Sequence, residues 1–457
     1  MSQETKESKP ADGVKALEDA NDYPLSRVPP TVRYHWFKVA VQRFGQVSAL
    51  TQFLLGSALG FSMTFWNAFW AITLGAVILE LFLIFVGFIG VKEGLNTSLL
   101  ARWAGFGRAG SAVIGLVLAI SLIGWFGIQS GVSATGLNAL MPFLPTWAWA
   151  IIFGLLVTLV VVKGFLGMQW VANVTVPVFV VLVAWAVISE LVKHPIGQLI
   201  SQAPPGPVMP FLGGVTLVAG SFMAGAVIAP DMTRYNRTRA DVVKQTVVGI
   251  TIGEYAIGLS GVLLAHAVSS ADVTNIVMSS IGWVGIIVLV FGTLKINDWN
   301  LYSGGLGFVN FIATVFGKKV SRPLVTLIIG VIGTILAAFG ILNYFTSFLI
   351  ILSVAFPPII GILLAEYFVV KTWRKDLDET REAGTLPATC PTWVPGTLVI
   401  WLISSLIGQF VPFGLGSINA VVAAFVLYWI AGKTGLLKGI GTSTTEQDDK
   451  SVTEQEA

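Results

Sequence analysis

Long apolar segments separated by short polar breaks run through most of the chain. A membrane-spanning helix needs about 20 predominantly apolar residues, and segments near that length recur along the sequence. The pattern predicts an all-α membrane protein with about twelve transmembrane helices. The predicted spans are Gln46–Phe65, Ala68–Val91, Ser111–Leu137, Thr146–Val162, Met168–Leu191, Pro210–Ala229, Val242–Ala267, Ile281–Tyr302, Leu324–Gly340, Tyr344–Val370, Val394–Val411 and Ser417–Ala431.

The lysines and arginines between these spans fall in alternate loops. Cationic loops are retained on the cytoplasmic side of a membrane, so their distribution predicts the orientation. One set of loops carries cations from Arg33 to Lys438, whereas the opposite set offers only Lys193. We therefore expect a multi-pass protein of the plasma (inner) membrane with both termini in the cytoplasm.

Composition indicates a bilayer as the surrounding medium and excludes several functions. More than half of the 457 residues are apolar and 11% are charged. The net charge of +3 is small and scattered, which argues against a nucleic-acid partner. The single cysteine, Cys390, can form no internal disulfide.

Residues 1–44 are predicted to be a cytoplasmic N-terminal tail, and residues 441–457 a disordered C-terminal tail.

Two interruptions of small residues occupy matching places in the first and sixth spans. They are Gly56–Gly60 and Ala219–Gly225. Glycine weakens a helix by about 1 kcal/mol, and unwound backbone at membrane depth is tolerated only beside protein or a wet cavity. One hypothesis is therefore a pair of broken helices around a central cavity. The alternative is that these glycines allow close packing between helices.

A match between the first and sixth helices would divide the chain into repeats. The two units of five helices would be residues 45–192 and 209–370, followed by two additional helices within residues 393–433. A unit with an odd number of helices repeats with inverted topology, as in many secondary transporters. The predicted fold is a five-plus-five inverted repeat with discontinuous helices 1 and 6.

Several short motifs occur in an order and spacing that resemble one transporter family. They are Gly90–Leu95, Leu99–Arg102, Gly124–Gly127, Gly220–Phe222, Pro230–Asp231, Arg234–Tyr235, Asn297–Asp298, Leu301–Tyr302, Gly305–Phe308, Ser353–Pro358 and Glu366–Tyr367. From the first span to the twelfth, the chain resembles the nucleobase-cation-symport-1 (purine-cytosine permease) family. The resemblance implies a LeuT-like fold and a secondary transporter for a nucleobase or related cyclic amide.

The positions that bind the base in cytosine permeases differ in this chain. Their glutamine on the third span aligns with Leu122, their serine on the sixth with Ala224, and their stacking phenylalanine on the first with Gly60. The third span is instead similar to that of hydantoin permeases, in which the residues aligned with Trp125 and Gln129 bind the substrate ring and its polar edge. Cytosine itself is therefore doubtful as the substrate.

A flat cyclic amide needs aromatic planes for its faces and amide groups for its edge. Trp125 and Gln129 are spaced i, i+4, which places both on one helix face. In the family alignment, Phe222 supplies a second stacking ring. Trp125 as a packing aromatic, Gln129 as an interhelical hydrogen bonder and Asn297 as a helix cap remain the alternatives. The predicted substrate site comprises Trp125, Gln129, Phe222, Ser221, Gly60, Gly220 and Asn297.

Three ionisable residues, Glu80, Glu254 and Lys295, fall deep within predicted spans. An unpaired charge there costs several kcal/mol, so each is a functional candidate. In sodium-coupled members of the family, carbonyls of the first and eighth spans and two hydroxyls of the eighth hold the ion. The hydroxyl positions align with Lys295 and Ile296. The predicted coupling site comprises Lys295, Gly56, Leu59, Gly292 and Glu254.

An ammonium group carries the charge of a sodium ion and could occupy its place. Lys295 therefore suggests proton-coupled or otherwise sodium-independent transport, with H⁺ or Na⁺ as the coupling ion and no organic cofactor. The alternative is a structural Lys295 paired with Glu254 or Asp298.

The sequence predicts a monomeric secondary transporter in contact with membrane lipid. It would import a nucleobase or a hydantoin-, allantoin- or creatinine-like ring by alternating access. An amine or amino-acid carrier of the same fold is the second hypothesis. An enzyme is not expected, because the spans contain neither a histidine cluster nor a serine–histidine pairing.

Overall fold

The computed structural model describes residues 23, 26–47, 50–162, 181, 184–318 and 320–445, and for residues 288 and 295 it describes the backbone alone. Helices dominate this part of the chain. They are α1 Trp36–Val47, α2 Leu50–Ser62, α3 Phe65–Glu93, α4 Thr97–Ala101, α5 Gly107–Leu140, α6 Thr146–Val162, α7 Ile196–Ser201, α8 Phe211–Ser221, α9 Met223–Val227, α10 Ala229–Thr233, α11 Arg239–Gly253, α12 Leu259–Val268, α13 Val273–Ile281, α14 Trp283–Phe316, α15 Arg322–Ala338, α16 Phe345–Ala355, α17 Pro357–Leu364, α18 Arg374–Arg381, α19 Pro395–Phe410 and α20 Gly416–Lys433.

Shorter elements complete the described chain. Residues 184–193 are also helical. π-Helical turns cover Arg102–Phe106, Glu254–Gly258 and Ala365–Val370, and 3₁₀ turns cover Pro30–Val32 and Ile341–Tyr344. The strands β1, Thr389–Trp393, and β2, Ile440–Thr444, pair in an antiparallel sheet.

Six continuous helical stretches are long and apolar enough to cross a membrane, and five shorter apolar helices accompany them in the described part of the chain. Each overlaps a predicted span. The fifth predicted span, Met168–Leu191, falls mostly outside the described residues.

The helices of the third and eighth spans are longer than predicted. α5 and α14 each contain 34 residues, and Gly317 ends α14 with a positive φ of 64°. The predicted eighth span ends at Tyr302, and a glycine-rich stretch follows it. Those glycines continue the helix: a Cβ at Gly307 would lie 2.9 Å from the Gly115 carbonyl oxygen of α5. The stretch therefore allows close approach of α14 to α5.

The predicted unwinding of the first span is wrong, because α2 is a continuous helix through Gly56 and Gly60. Both glycines instead face the backbone of the seventh span. A Cβ at Gly60 would lie 2.6 Å from the Val262 carbonyl oxygen, and one at Gly56 would lie 3.0 Å from the Gly258 Cα. The glycines serve the close packing that small residues provide between membrane helices.

The sixth span is divided into short helices. α8 ends at Ser221 and α9 begins at Met223, with Phe222 between them at φ −121° and ψ 23°. A second change of direction follows at Ile228. Here the glycine-rich stretch does coincide with an interrupted helix.

The C-terminal tail differs from the predicted disorder at its beginning. Residues 440–444 form β2 and pair with β1, with Cys390 opposite Ser443. The prediction followed the polar composition of the tail, but backbone hydrogen bonds to another strand need no apolar side chains. Residues 446–457 lie outside the described residues.

The long helices pack in a few extensive pairs. α5 packs along α14, α6 along α15, α2 along α12, and α3 along α8. One hydrophobic cluster includes side chains such as Leu59 of α2, Ile128 of α5 and Val262 of α12, whereas α6 and α15 contribute to a second cluster through Phe153 and Ile329. These pairs determine which predicted site residues meet.

Candidate functional site

Trp125 and Gln129 lie one turn apart on α5. The Trp125 ring is half-buried, whereas Gln129 is 1% exposed. The Oε1 atom of Gln129 has no hydrogen-bond partner among the described residues. A buried acceptor without a donor costs about 1–3 kcal/mol, so this oxygen is suited to an N–H group brought by a ligand.

Asn297 joins α14 to the same part of α5. Its Nδ2 donates to the Phe126 carbonyl at 3.1 Å and to Ser130 Oγ at 3.0 Å, while its Oδ1 accepts from Asn300 Nδ2 at 3.3 Å. The side chain is fully buried. The interpretation of Asn297 as a helix cap is wrong, because α14 continues for several turns beyond it.

Two aromatic residues that the sequence did not indicate contact Trp125. The rings of Phe345 and Phe348, both on α16, meet it edge-on with centroids 6.1 and 5.1 Å away. Gly124 makes room for this contact, since a Cβ there would lie 2.5 Å from Phe348 Cε2. Phenylalanines within an apolar span follow no distinguishing pattern, so sequence reasoning had no signal for them.

The other side of α16 meets the sixth span. A Cβ at Gly220 would lie 3.0 Å from the Leu349 carbonyl oxygen. The neighbouring Ser221 donates its hydroxyl to the Val218 carbonyl at 2.7 Å, and half-buried Phe222 occupies the interruption that follows. α16 therefore lies between Trp125 and the Gly220–Phe222 stretch. Among the described rings, no direct contact joins Trp125 to Phe222.

The residues of the predicted coupling site lie on three helices. Gly56 and Leu59 are buried in α2, and Gly292 lies within α14. Leu59 is in the last turn of α2, where carbonyl groups lack intrahelical partners, whereas Gly56 precedes that turn. Lys295 also lies on α14, but its side chain is outside the described residues.

Glu254 belongs to a buried polar group between α2, α3 and the seventh span. It is 0% exposed, and its Oε2 accepts a hydrogen bond from Gln52 of α2. Its Oε1 has no hydrogen-bond partner among the described residues. One turn earlier, Thr251 donates to Glu80 Oε1 at 2.7 Å. Gln52 and Thr251 were not predicted, because single polar residues in apolar spans are not specific signals.

Metal ligation by side chains finds no support in the described part of the chain. No group of three or more histidine, cysteine, aspartate or glutamate side chains is placed to hold a metal ion there. The arrangement instead offers an aromatic plane, a buried amide and a buried acid. Such groups bind and release small molecules or protons without covalent chemistry.

Comparison with known proteins gives consistent relatives over nearly the whole chain. The chain is 27% identical to the cytosine permease of Escherichia coli (strain K12) over 423 residues, covering 91% of this chain and 95% of that protein. It is 22% identical to the hydantoin permease of Microbacterium maritypicum over 426 residues, covering 87% and 85%.

Solved structures agree on the fold. The inward-facing conformation of Mhp1 matches with a TM-score of 0.73 at 20% identity, covering 90% of this chain and 94% of that one. Mhp1, a nucleobase-cation-symport-1 family transporter, in a closed conformation with bromovinylhydantoin bound matches with a TM-score of 0.67 at 20% identity, covering 90% and 95%.

A family model agrees with these relatives. The model for permeases for cytosine/purines, uracil, thiamine and allantoin matches residues 34–432. This range extends from the start of α1 to the last turn of α20 and includes every residue of the candidate site. The chain is thus a nucleobase-type transporter that belongs to the purine-cytosine permease family of nucleobase-cation symporters.

Proposed function

We propose that this transporter imports a nucleobase or a similar small cyclic amide by cation-coupled alternating access. The substrate ring would stack on Trp125 and direct one N–H group to Gln129 Oε1. The observation that carries the proposal is the buried Oε1 without a donor, one helical turn from a half-buried aromatic plane. Because α16 lies between Trp125 and the sixth span, Phe222, Ser221 and the backbone near Gly220, and Gly60 from the first span, would border the ring only in a conformation in which these helices move.

The relatives support this substrate class. They include permeases named for cytosine and for hydantoin, and Mhp1 has been solved with a hydantoin derivative bound. These molecules share a planar ring with adjacent N–H and C=O groups. An amide side chain both donates and accepts, which suits such an edge.

Helix pairing supports the twelve-helix, five-plus-five inverted repeat. In such a repeat, membrane helix 1 corresponds to helix 6, and helix 2 corresponds to helix 7. A contact between helices 1 and 7 should therefore recur as a contact between helices 6 and 2. Both pairs are present, as α2 with α12 and α8 with α3. The third and eighth helices, α5 and α14, correspond to each other and pack together, as do α6 and α15.

Contacts among the cationic loops support a shared, cytoplasmic side for both termini. Arg27 near the N-terminus binds Glu93 after the second span at 2.9 Å, and Arg381 after the tenth span binds the same carboxylate at 2.7 Å. The strand β2 near the C-terminus pairs with β1 of that same later loop. The positive-inside distribution then places this side in the cytoplasm of a plasma membrane protein.

An amine or amino-acid carrier of the same fold is the second candidate. Such a substrate carries a charged group, which needs a fixed opposite charge in the site. The groups assembled around Trp125 are an amide, aromatic rings and hydroxyls, which favour a neutral ring.

Uptake into proteoliposomes tests the proposed function. The purified protein would be assayed with labelled cytosine and, in competition, with purines, hydantoin, allantoin, creatinine and amino acids. We expect saturable uptake that at least one cyclic amide blocks and amino acids do not. Gln129→Leu should weaken binding of that ring about tenfold, for one lost hydrogen bond to a buried group. Asn138→Leu, near the end of the same helix, is the matched control.

Two outcomes would contradict the proposal. Inhibition by amino acids alone would favour the second candidate. Uptake that does not saturate, with conductive currents, would indicate a channel.

A further inference from the structure

Among the described side chains, none brings a compensating cation to the fully buried carboxyl group of Glu254. Its described interactions are the hydrogen bond from Gln52 and the electrostatic effect of Glu80. One of its oxygens has no hydrogen-bond partner among the described residues. An ionised carboxylate in such a place costs many kcal/mol, whereas the protonated acid is neutral and can keep the hydrogen bond that Gln52 donates.

The other described ionisable side chains near Glu254 do not neutralise it. The helix α2 carries none, and α3 brings Glu80 to within electrostatic reach. On its own helix, the Tyr255 hydroxyl is paired with Thr73 at 2.8 Å, and His266 lies about three turns away between two carbonyl oxygens. From α1, Arg43 packs against Gly249. Arg43 interacts electrostatically with Asp231.

The backbone at Glu254 is irregular. A π-helical turn begins at this residue and ends at Gly258, between α11 and α12. Single π-helical turns occur frequently at functional sites. Gly258, at the end of the turn, is the residue that faces Gly56 of α2. The turn and the Gln52 hydrogen bond therefore both connect Glu254 to the first membrane helix.

We propose that Glu254 is the site that binds and releases the coupling proton, with Glu80 as the second acid of the same buried group. The proposal rests on the proposed cation-coupled transport and identifies the cation as H⁺. The proton taken up from water forms the O–H bond of the Glu254 acid, and its release to water on the other side restores the carboxylate.

The structure explains how this proton would be linked to transport. The neutral acid is compatible with the closed contact between α2 and α12. A carboxylate requires water or a cation, so it favours a conformation in which that contact opens. Two carboxylates in one apolar site repel each other, so Glu80 and Glu254 hold at least one proton between them while the site is closed.

Two measurements on proteoliposomes test the proposal. The first follows the infrared C=O band of the protonated acid through a pH titration, without any substrate. The second compares cytosine or hydantoin accumulation driven by an inside-alkaline pH gradient with counterflow at equal pH. The variants are Glu254→Gln, Glu254→Asp and Glu80→Gln. The matched control is Glu190→Gln, because Glu190 is also a buried acid but pairs with Lys193, in the opposite set of loops.

We expect Glu254→Gln to lose the infrared band and to reduce the accumulation ratio to unity while counterflow continues. Glu254→Asp should restore part of the gradient response, because it keeps an acid at the site. Glu80→Gln should shift the pH at which the Glu254 band disappears. Glu190→Gln should behave as the natural protein does. A purely structural role for Glu254 would lower accumulation and counterflow together.

Three results would overturn the proposal. They are an infrared band unchanged in Glu254→Gln, accumulation by that variant under a pH gradient, and accumulation by the natural protein under a sodium gradient alone. If the natural protein transports neither probe, cytosine and hydantoin are excluded as substrates. The infrared titration then still decides whether Glu254 binds a proton.

Discussion

Two buried amides of similar chemistry have opposite roles at the residue scale. Asn297 makes three hydrogen bonds, two of them to α5, whereas Gln129 leaves its Oε1 without a donor. A group that satisfies its partners contributes to folding. A group that keeps an acceptor without a donor among the described residues costs stability, which is consistent with the proposal that Gln129 binds a ligand.

The difference predicts opposite effects of substitution on stability. Asn297→Ala should lower the free energy of unfolding by about 1–3 kcal/mol, because the Ser130 hydroxyl and the Phe126 carbonyl lose a buried partner. Gln129→Met should leave it unchanged or raise it, since it removes an unsatisfied oxygen at similar volume. Thermal unfolding of both variants in the same detergent checks the prediction. An equal loss from both would show that Gln129 is a structural amide.

The sequence allowed only part of this site to be predicted. Trp125 and Gln129 stood out because the third span resembles that of hydantoin permeases, and their i, i+4 spacing is consistent with one shared helix face. The roles of Asn297 and Phe348 depend on which helices become neighbours, and no local pattern encodes that. Gln52 became meaningful only once α2 was seen to pack on the π-helical turn at Glu254.

Glycine-rich stretches show the same limit at the scale of elements. The first and sixth spans carry similar interruptions, yet α2 is continuous and the sixth span breaks at Phe222. Glycine both weakens a helix and permits close packing, so composition alone cannot separate the two outcomes. Whether a glycine-rich helix stays continuous depends on what packs against it, and at Gly60 the Val262 backbone is in direct contact. Apolar length, by contrast, predicted every membrane helix that the structure describes.

Close packing at Gly60 predicts the effect of adding one methyl group. A Cβ there would lie 2.6 Å from the Val262 carbonyl oxygen, so α2 and α12 would have to separate. Gly60→Ala should cost about 1–3 kcal/mol of stability, as overpacking does. Gly115→Ala is the matched control, because nothing lies within 4 Å of the position that the added Cβ would occupy. That variant should gain up to about 1 kcal/mol from helix propensity. Thermal unfolding of both variants compares them, and equal tolerance would contradict the close contact.

At the scale of the whole molecule, one carboxylate joins three distant segments. Glu93, at the end of α3, accepts from Arg27, Arg381 and the Tyr367 hydroxyl. Arg27 also donates to the Thr385 and Leu377 carbonyls. The N-terminal segment is thereby fastened to the loop after the tenth span.

Removing the charge of Glu93 should weaken this junction strongly. Breaking a buried ion pair by removing one partner costs about 3–5 kcal/mol, because the other charge remains buried. We therefore expect Glu93→Gln to unfold at a much lower temperature than the natural protein. Glu379→Gln is the control, since the Glu379 side chain is 63% exposed and pairs with an exposed lysine. A melting temperature of Glu93→Gln equal to that of the control would show that the junction contributes little.

The single cysteine offers a test of how the C-terminal segment closes the same end of the molecule. Cys390 lies in β1, is 6% exposed and is paired with Ser443 of β2. Deleting residues 440–457 removes this neighbouring strand, so we expect Cys390 to become more exposed and to react with maleimide several-fold faster. Deleting only residues 446–457 keeps β2 and is the matched control, for which we expect the original rate.

The same cysteine reports the orientation of the protein in the membrane. A membrane-impermeant maleimide should modify the 440–457 deletion variant in inside-out vesicles and not in right-side-out vesicles, because the positive-inside distribution predicts that this loop is cytoplasmic. Labelling from the outside would reverse the topology. The Arg27–Glu93–Arg381 junction and the β1–β2 sheet would then both lie on the external side, since they hold the same loop.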